Sequence, residues 1–286
     1  MKIWQASVSR LLTFSCVDGP GNRLVLFLQG CNFHCPTCHN PHTIGRCDHC
    51  GECVPGCPAT ALSWQDGRVV WNDALCTHCD HCLAVCPRSA SPKTRTMTVA
   101  DVIDVLRRYA LLLTGITVSG GEATTQLPFV LALFAAIKAA PDLAHLTCLV
   151  DSNGYLPEEG WQKLLPVCDG VMVDLKGWQE PVHQALTGRS GERVRHAIEF
   201  LARHHRLAEL RLLHIPGRSD FEHHLPELVA WLQQLGPVPL RLNGFRQHGV
   251  RGEAANWLAA TRSELEQLES SIRNLGWRGS ITLPAL

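Results

Sequence analysis

Apolar and polar positions alternate on two different periods along most of this 286-residue chain. Short runs rich in apolar residues occupy positions 23–29, 115–119, 146–151, 170–175, 209–215 and 239–243. Each has the length and hydrophobicity of a buried strand. Amphipathic stretches over 99–113, 128–139, 190–204 and 221–235 read as helices between them. Strands followed by helices at this spacing predict parallel βα units and an α/β fold. Six units suit a partial (β/α)6 TIM-like barrel, which binds ligands at the carboxyl ends of its strands. A doubly wound sheet fits the same alternation.

The placing of polar residues favours the barrel. Cys31, Cys35 and Cys38 follow the run Leu24-Val25-Leu26-Phe27-Leu28. Ser119-Gly120-Gly121-Glu122 ends the second predicted strand, Asp151-Ser152-Asn153-Gly154 the third and Asp174-Leu175-Lys176 the fourth. Chemistry-bearing groups therefore gather at one edge of the sheet.

One segment breaks the pattern. Cys47-x2-Cys50-x2-Cys53-x3-Cys57-Pro58 recurs as Cys76-x2-Cys79-x2-Cys82-x3-Cys86-Pro87, with residues 61–73 between them predicted as a hairpin turning at Asp66-Gly67. The repeat is a small metal-stapled insert. The expected domains are a barrel from residues 1–40 and 95–286 and an insert over 41–94.

Composition narrows the classes. Hydrophobic residues make up 45% of the chain, so a packed core is expected rather than disorder. Lys+Arg and Asp+Glu balance at 26 each, giving no sign of a nucleic-acid or membrane-surface partner. No apolar run has the length of a spanning helix. Met1-Lys2-Ile3-Trp4-Gln5 lacks a signal-peptide pattern, so a cytoplasmic, monomeric protein with reduced thiols is expected. Eleven of the 14 cysteines fall between Cys31 and Cys86 in three tight clusters, a distribution that suits metal better than disulfides. Cys148 and Cys168 read as buried small hydrophobes.

The repeated motif is the bacterial ferredoxin pattern, whose fourth cysteine serves the other cluster when two copies are present. One 4Fe–4S cluster then takes Cys47, Cys50, Cys53 and Cys86, and the other takes Cys76, Cys79, Cys82 and Cys57. Four-thiolate zinc is the competing reading. Such clusters relay electrons or brace the insert. The spacing Cys31-x3-Cys35-x2-Cys38 supplies only three thiolates, leaving one iron of a third 4Fe–4S cluster open to a ligand.

That loop, with a strand-end Gly-Gly-Glu after it, resembles the radical S-adenosylmethionine superfamily. The resemblance implies S-adenosylmethionine chelated to the open iron and cleaved by one electron to methionine and a 5′-deoxyadenosyl radical. More specific matches point to the glycyl radical enzyme activating enzymes, relatives of pyruvate formate-lyase activase. They are Ser15-Cys16-Val17-Asp18-Gly19-Pro20-Gly21-Asn22-Arg23 ahead of the first predicted strand, Ser119 to Ala123 with Gln126, Asp151 to Gly154, Met172 to Lys176, and Arg211 before Pro216-Gly217.

From the resemblance, Cys31, Cys35 and Cys38 are the catalytic cluster ligands. Thr37, Cys38, His39, Gly120, Gly121, Glu122, Asp174, Leu175, Lys176 and Arg211 are expected around S-adenosylmethionine, with either Arg246 or His248 completing the contacts. Asp151, Ser152, the Met172 carbonyl and Asp174 form a monovalent-cation site. Thr37 stands where relatives carry an aromatic. The implied partners are a glycyl radical enzyme, whose backbone glycine is the protein substrate, and reduced flavodoxin or ferredoxin. Two rivals remain: a radical maturase or small-molecule enzyme with two auxiliary clusters, and a ferredoxin-like electron carrier.

Overall fold

The computed structural model describes residues 3–284. Its strands are β1 (Gln5–Ser15), β2 (Arg23–Leu28), β3 (Leu62–Gln65), β4 (Arg68–Trp71), β5 (Arg95–Thr98), β6 (Gly115–Gly120), β7 (Thr147–Ser152), β8 (Gly170–Leu175), β9 (Leu207–His214), β10 (Leu240–Gly244) and β11 (Ile281–Thr282). Its helices are α1 (His81–Ala84), α2 (Val99–Tyr109), α3 (Leu127–Ala139), α4 (Glu158–Leu164), α5 (Glu180–Thr187), α6 (Glu192–Arg203), α7 (Leu225–Leu235) and α8 (Arg262–Asn274).

The six predicted strands are β2 and β6 to β10. In the sheet they lie in chain order, β11-β10-β9-β8-β7-β6-β2-β1-β5. Every pair from β2 to β11 is parallel. A doubly wound sheet would reverse direction at a switch point. This one does not, and it curls into a partial barrel. Arg211 on β9 reaches across β8 to Asp151 on β7, as the concave face of a curved sheet allows.

Alternation along the strands produces the curl's two faces. Leu24, Leu26 and Leu28 of β2, Ile116 and Val118 of β6, and Leu210 and Leu212 of β9 are fully buried in the outer core. Phe129, Leu133 and Phe134 of α3, Ile198 and Leu201 of α6, and Leu228 and Leu232 of α7 cover them. Thr98 and Asp101 form a capping box that starts α2, and Thr261 and Glu264 do the same for α8.

Strands β1 and β5 lie outside the six predicted. β1 pairs antiparallel with β2 and β5, and two register shifts against β2 break its period-two signal. The motif from Ser15 to Arg23 stands directly ahead of β2, the first predicted strand, and closes the hairpin that joins it to the additional strand β1. There Thr117 Oγ1 donates to the Asp18 carbonyl at 2.6 Å.

The predicted hairpin within residues 61–73 is the β3–β4 ribbon, a two-stranded sheet separate from the large one. Asp66 (φ 49°) and Gly67 (φ 73°) are both left-handed, as a two-residue hairpin turn requires. Cys53, Leu62 and Val69 form a small core of their own beneath it.

Candidate active site

Strand β2 delivers the Cys31–Cys38 loop at its carboxyl edge, and neighbouring elements hold the loop rigidly. Gly30 N donates to Thr43 O at 2.8 Å and Cys31 N to Ile44 O at 2.9 Å. Gln29 Nε2 donates to the carbonyls of His42 (2.8 Å) and Gly45 (2.6 Å). Farther along, His34 N donates to Thr187 O at 3.0 Å. Phe33 is buried and meets Tyr155 and His183 edge-on, with ring centres 5.4 and 5.9 Å away. No sequence signal singled out Phe33 as this anchor.

Burial pushes the Cys31 thiol up to about 12 and the Cys35 thiol up to about 11, and each is raised further by its cysteine neighbours. Cys38 shifts the same way through burial. Three crowded, desolvated thiols become stable thiolates only beside positive charge. Iron supplies such charge, so the residues fit a three-thiolate cluster.

Lys176 stands beside them. Burial alone would lower its pKa, but Asp174 and the Cys35 thiolate outweigh burial and hold it charged. Its Nζ lies 2.8 Å from Asp174 Oδ2. Read alone, Asp174-Leu175-Lys176 is a strand-end ion pair; the structure sets that pair against the cysteine loop.

Gly120 and Gly121 serve the loop itself. A Cβ on Gly120 would sit 2.2 Å from Leu28 O, and one on Gly121 would sit 2.6 Å from Gly30 O. Their lack of side chains lets the end of β6 lie directly on the cysteine loop. The buried Glu122 does not face a ligand space. Its Oε1 accepts from Thr124 N (2.9 Å), Thr124 Oγ1 (2.6 Å) and Ser152 Oγ (2.9 Å). Its Oε2 accepts from Asn153 N at 2.7 Å.

Thr37 is buried within the loop. His39 Nε2 donates to the Arg246 carbonyl at 3.2 Å, so the segment after β10 lies over the Cys38-His39 turn. His248 is exposed on that segment.

The expected cation donors do not fit an ion as they stand. Asp151 receives Arg211 Nη1 at 2.9 Å and Ser119 Oγ at 3.0 Å. Ser152 donates its hydroxyl to Glu122, and Asp174 holds Lys176. The Arg211 guanidinium already brings positive charge to this acidic cluster, which also includes Glu209 at 2.6 Å.

In the insert, the cysteines line two clefts. One is lined by Cys57, Cys76, Cys79 and Cys82, with Lys93 at its wall. The other is lined by Cys47, Cys50, Cys53 and Cys86. These are the crossed sets expected from the spacing. Among the described residues no three His, Cys, Asp or Glu side chains converge as ligands of a single ion.

The described residues contain no helix long and apolar enough to cross a membrane. A profile for the Radical SAM superfamily matches residues 25–232. The chain is 30% identical over 281 residues to the (2S)-3-sulfopropanediol sulfolyase activating enzyme of Bilophila wadsworthia, covering 90% of this chain and 89% of that one. It is 30% identical over 240 residues to the pyruvate formate-lyase 1-activating enzyme of Escherichia coli, covering 81% and 78%. The choline trimethylamine-lyase activating enzyme of Oleidesulfovibrio alaskensis is 28% identical, with 97% and 98% covered. Among solved structures, QueE from Escherichia coli superposes with a TM-score of 0.51 at 16% identity, covering 99% of this chain and 95% of that one. Streptococcus suis SuiB bound to its precursor peptide SuiA gives 0.59 at 11% identity, covering 91% of this chain and 48% of that one. Both share the fold.

Proposed function

Because the chain belongs to the radical SAM superfamily, among the activating enzymes of glycyl radical enzymes, we propose that it installs a glycyl radical in a partner enzyme. When bound, the Cys31–Cys38 cluster and S-adenosylmethionine supply a one-electron cleavage and hydrogen abstraction from a backbone glycine, releasing methionine and 5′-deoxyadenosine.

The observation that carries the reading is the gathering of three desolvated thiols and the Lys176–Asp174 pair at one sheet edge. Cys31, Cys35 and Cys38 hold the cluster. Lys176 binds the carboxylate of S-adenosylmethionine as a point charge, oriented by Asp174. Gly120 and Gly121 offer carbonyls to its ammonium group, while Thr37 and His39 flank its adenine. Arg211 and the Arg246–His248 segment close the pocket. No side chain serves as general acid or base, because hydrogen abstraction requires none.

The insert over 41–94 is read as a separate domain holding two further 4Fe–4S clusters, giving three in all. It relays electrons from a reduced flavodoxin or ferredoxin. A monomer in the cytoplasm suits the abundance of free thiols.

The test is anaerobic incubation with candidate glycyl radical enzymes, S-adenosylmethionine and reductant, followed by electron paramagnetic resonance. A glycyl doublet in the partner is expected. Cleavage of S-adenosylmethionine with no doublet from any partner would favour a maturase, and no cleavage at all would favour an electron carrier. Iron content after full reconstitution should approach about twelve per chain. Saturation at four would remove the two insert clusters from the reading.

A further inference from the structure

Cys31 differs from the other two cysteines of its loop in having a side-chain amide aimed at its sulfur. Asn153 Nδ2 lies 3.9 Å from Cys31 Sγ and 2.7 Å from Asn32 Oδ1. The orientation of the amide is fixed by the protein, since Tyr155 N donates to Asn153 Oδ1 at 3.0 Å. The NH2 end must therefore face the loop. The backbone of Asn153 is fixed as firmly: its N–H is held by Glu122 Oε2 at 2.7 Å, and Ser152 beside it is held by Glu122 Oε1 at 2.9 Å. A buried carboxylate that accepts from Thr124, just after β6, and from Ser152 and Asn153 at the end of β7 is a clamp between the two strand ends. A second donor, Phe33 N, approaches the same sulfur at 3.4 Å.

We propose that Asn153 is a positioning residue that sets the reducing power of the cluster bound by Cys31, Cys35 and Cys38, with Glu122 as the clamp that holds it in place. An N–H directed at a cluster thiolate stabilises the reduced, more negative state and raises the reduction potential. The buried setting of the loop, with Phe33 and Thr37 packed inside it, acts the other way, because low polarity disfavours the more negative reduced state. Asn153 thus keeps the cluster within reach of its electron donor. The inference rests on the activase reading only for the presence of that cluster.

The test is a redox titration of fully reconstituted, full-length protein without S-adenosylmethionine, followed by electron paramagnetic resonance. Asn153→Leu preserves bulk and removes the donor. Asn153→Asp keeps the acceptor for Tyr155 N and serves if the leucine variant loads poorly. The expected result is a more negative midpoint for the three-cysteine cluster, with the insert clusters unmoved. An unchanged midpoint at full iron content overturns the proposal. So does an equal shift in all three clusters, because a general loosening would cause that. Failure of the activase reading appears separately, as a wild-type signal that does not respond to added S-adenosylmethionine.

Discussion

Arg23 has no exposed surface, yet its guanidinium meets no carboxylate. It donates to Thr117 Oγ1 (2.6 Å), Thr147 Oγ1 (2.9 Å) and the carbonyls of Ile116 (2.6 Å), Thr147 (2.9 Å) and Pro20 (3.3 Å). Burial lowers its pKa to about 10, and the neutral acceptors repay part of the lost hydration. Arg23→Leu should leave these acceptors dry and cost at least about 2 kcal/mol in urea unfolding. Cys148 and Cys168, which line no metal cleft, are each pushed up to about 12 by burial, from an ordinary 9.0. The folded state then keeps protons that the unfolded state releases. Stability should fall as pH rises from about 9 towards 12, which urea midpoints across that range would measure. The three loop cysteines were legible in the sequence because thiolate spacing is a local signature. Arg23 and Asn153 stood inside recognised motifs and Phe33 inside the cysteine loop, but the role of each was not legible, because it comes from residues distant in the chain.

At the scale of elements, the contact between β6 and β2 is set by absent side chains. Gly120→Ala should push the end of β6 off Leu28 and reduce iron bound at the Cys31–Cys38 loop, with the insert still loaded. Iron assays on the variant check this; unchanged loading would mean the strand end yields easily. The crossed ligand sets make a second prediction. Cys57→Ser alters the first cysteine motif but should abolish the cluster of the second, at Cys76, Cys79 and Cys82. Mössbauer or paramagnetic spectra should show that cluster lost and the Cys47 set kept. The parallel strands could be read from sequence since β2, β6 and β8 are buried almost throughout and strongly apolar, while β9 and β10 alternate buried apolar with polar residues. β1 could not, because its bulges disturb the alternation, and so the Ser15–Arg23 motif was not seen to be a hairpin turn. Glu122 was legible as important, but not as a clamp, since a buried acceptor and a ligand contact look alike in sequence.

Across the whole molecule, the insert and the barrel meet at the reaction loop. Main-chain bonds from Gly30 and Cys31 run to Thr43 and Ile44, and Gln29 grips His42 and Gly45. On the far side, Arg251 donates to the Leu83 carbonyl at 2.7 Å. This seam was not legible in the sequence, since main-chain bonding leaves little residue signature. A Cys53→Ser, Cys57→Ser variant, stripped of one ligand for each insert cluster, should be cut faster by protease near residues 41–46, as peptide mapping would show. It should also take up iron more slowly at Cys31–Cys38.

The seam gives the molecule a chronology. An insert assembled first would offer its first leg, through the Thr43 and Ile44 carbonyls, as the template on which the cysteine loop takes shape. Decay would run in the same direction. Cys50 and Cys79 are the exposed cysteines of the insert, so oxygen would reach the proposed clusters there first. Damage at that outer rim then unmoors Gly30 and Cys31 before oxidant need enter the barrel. The shelf life of the cysteine loop is written in a segment that supplies none of its three thiolates.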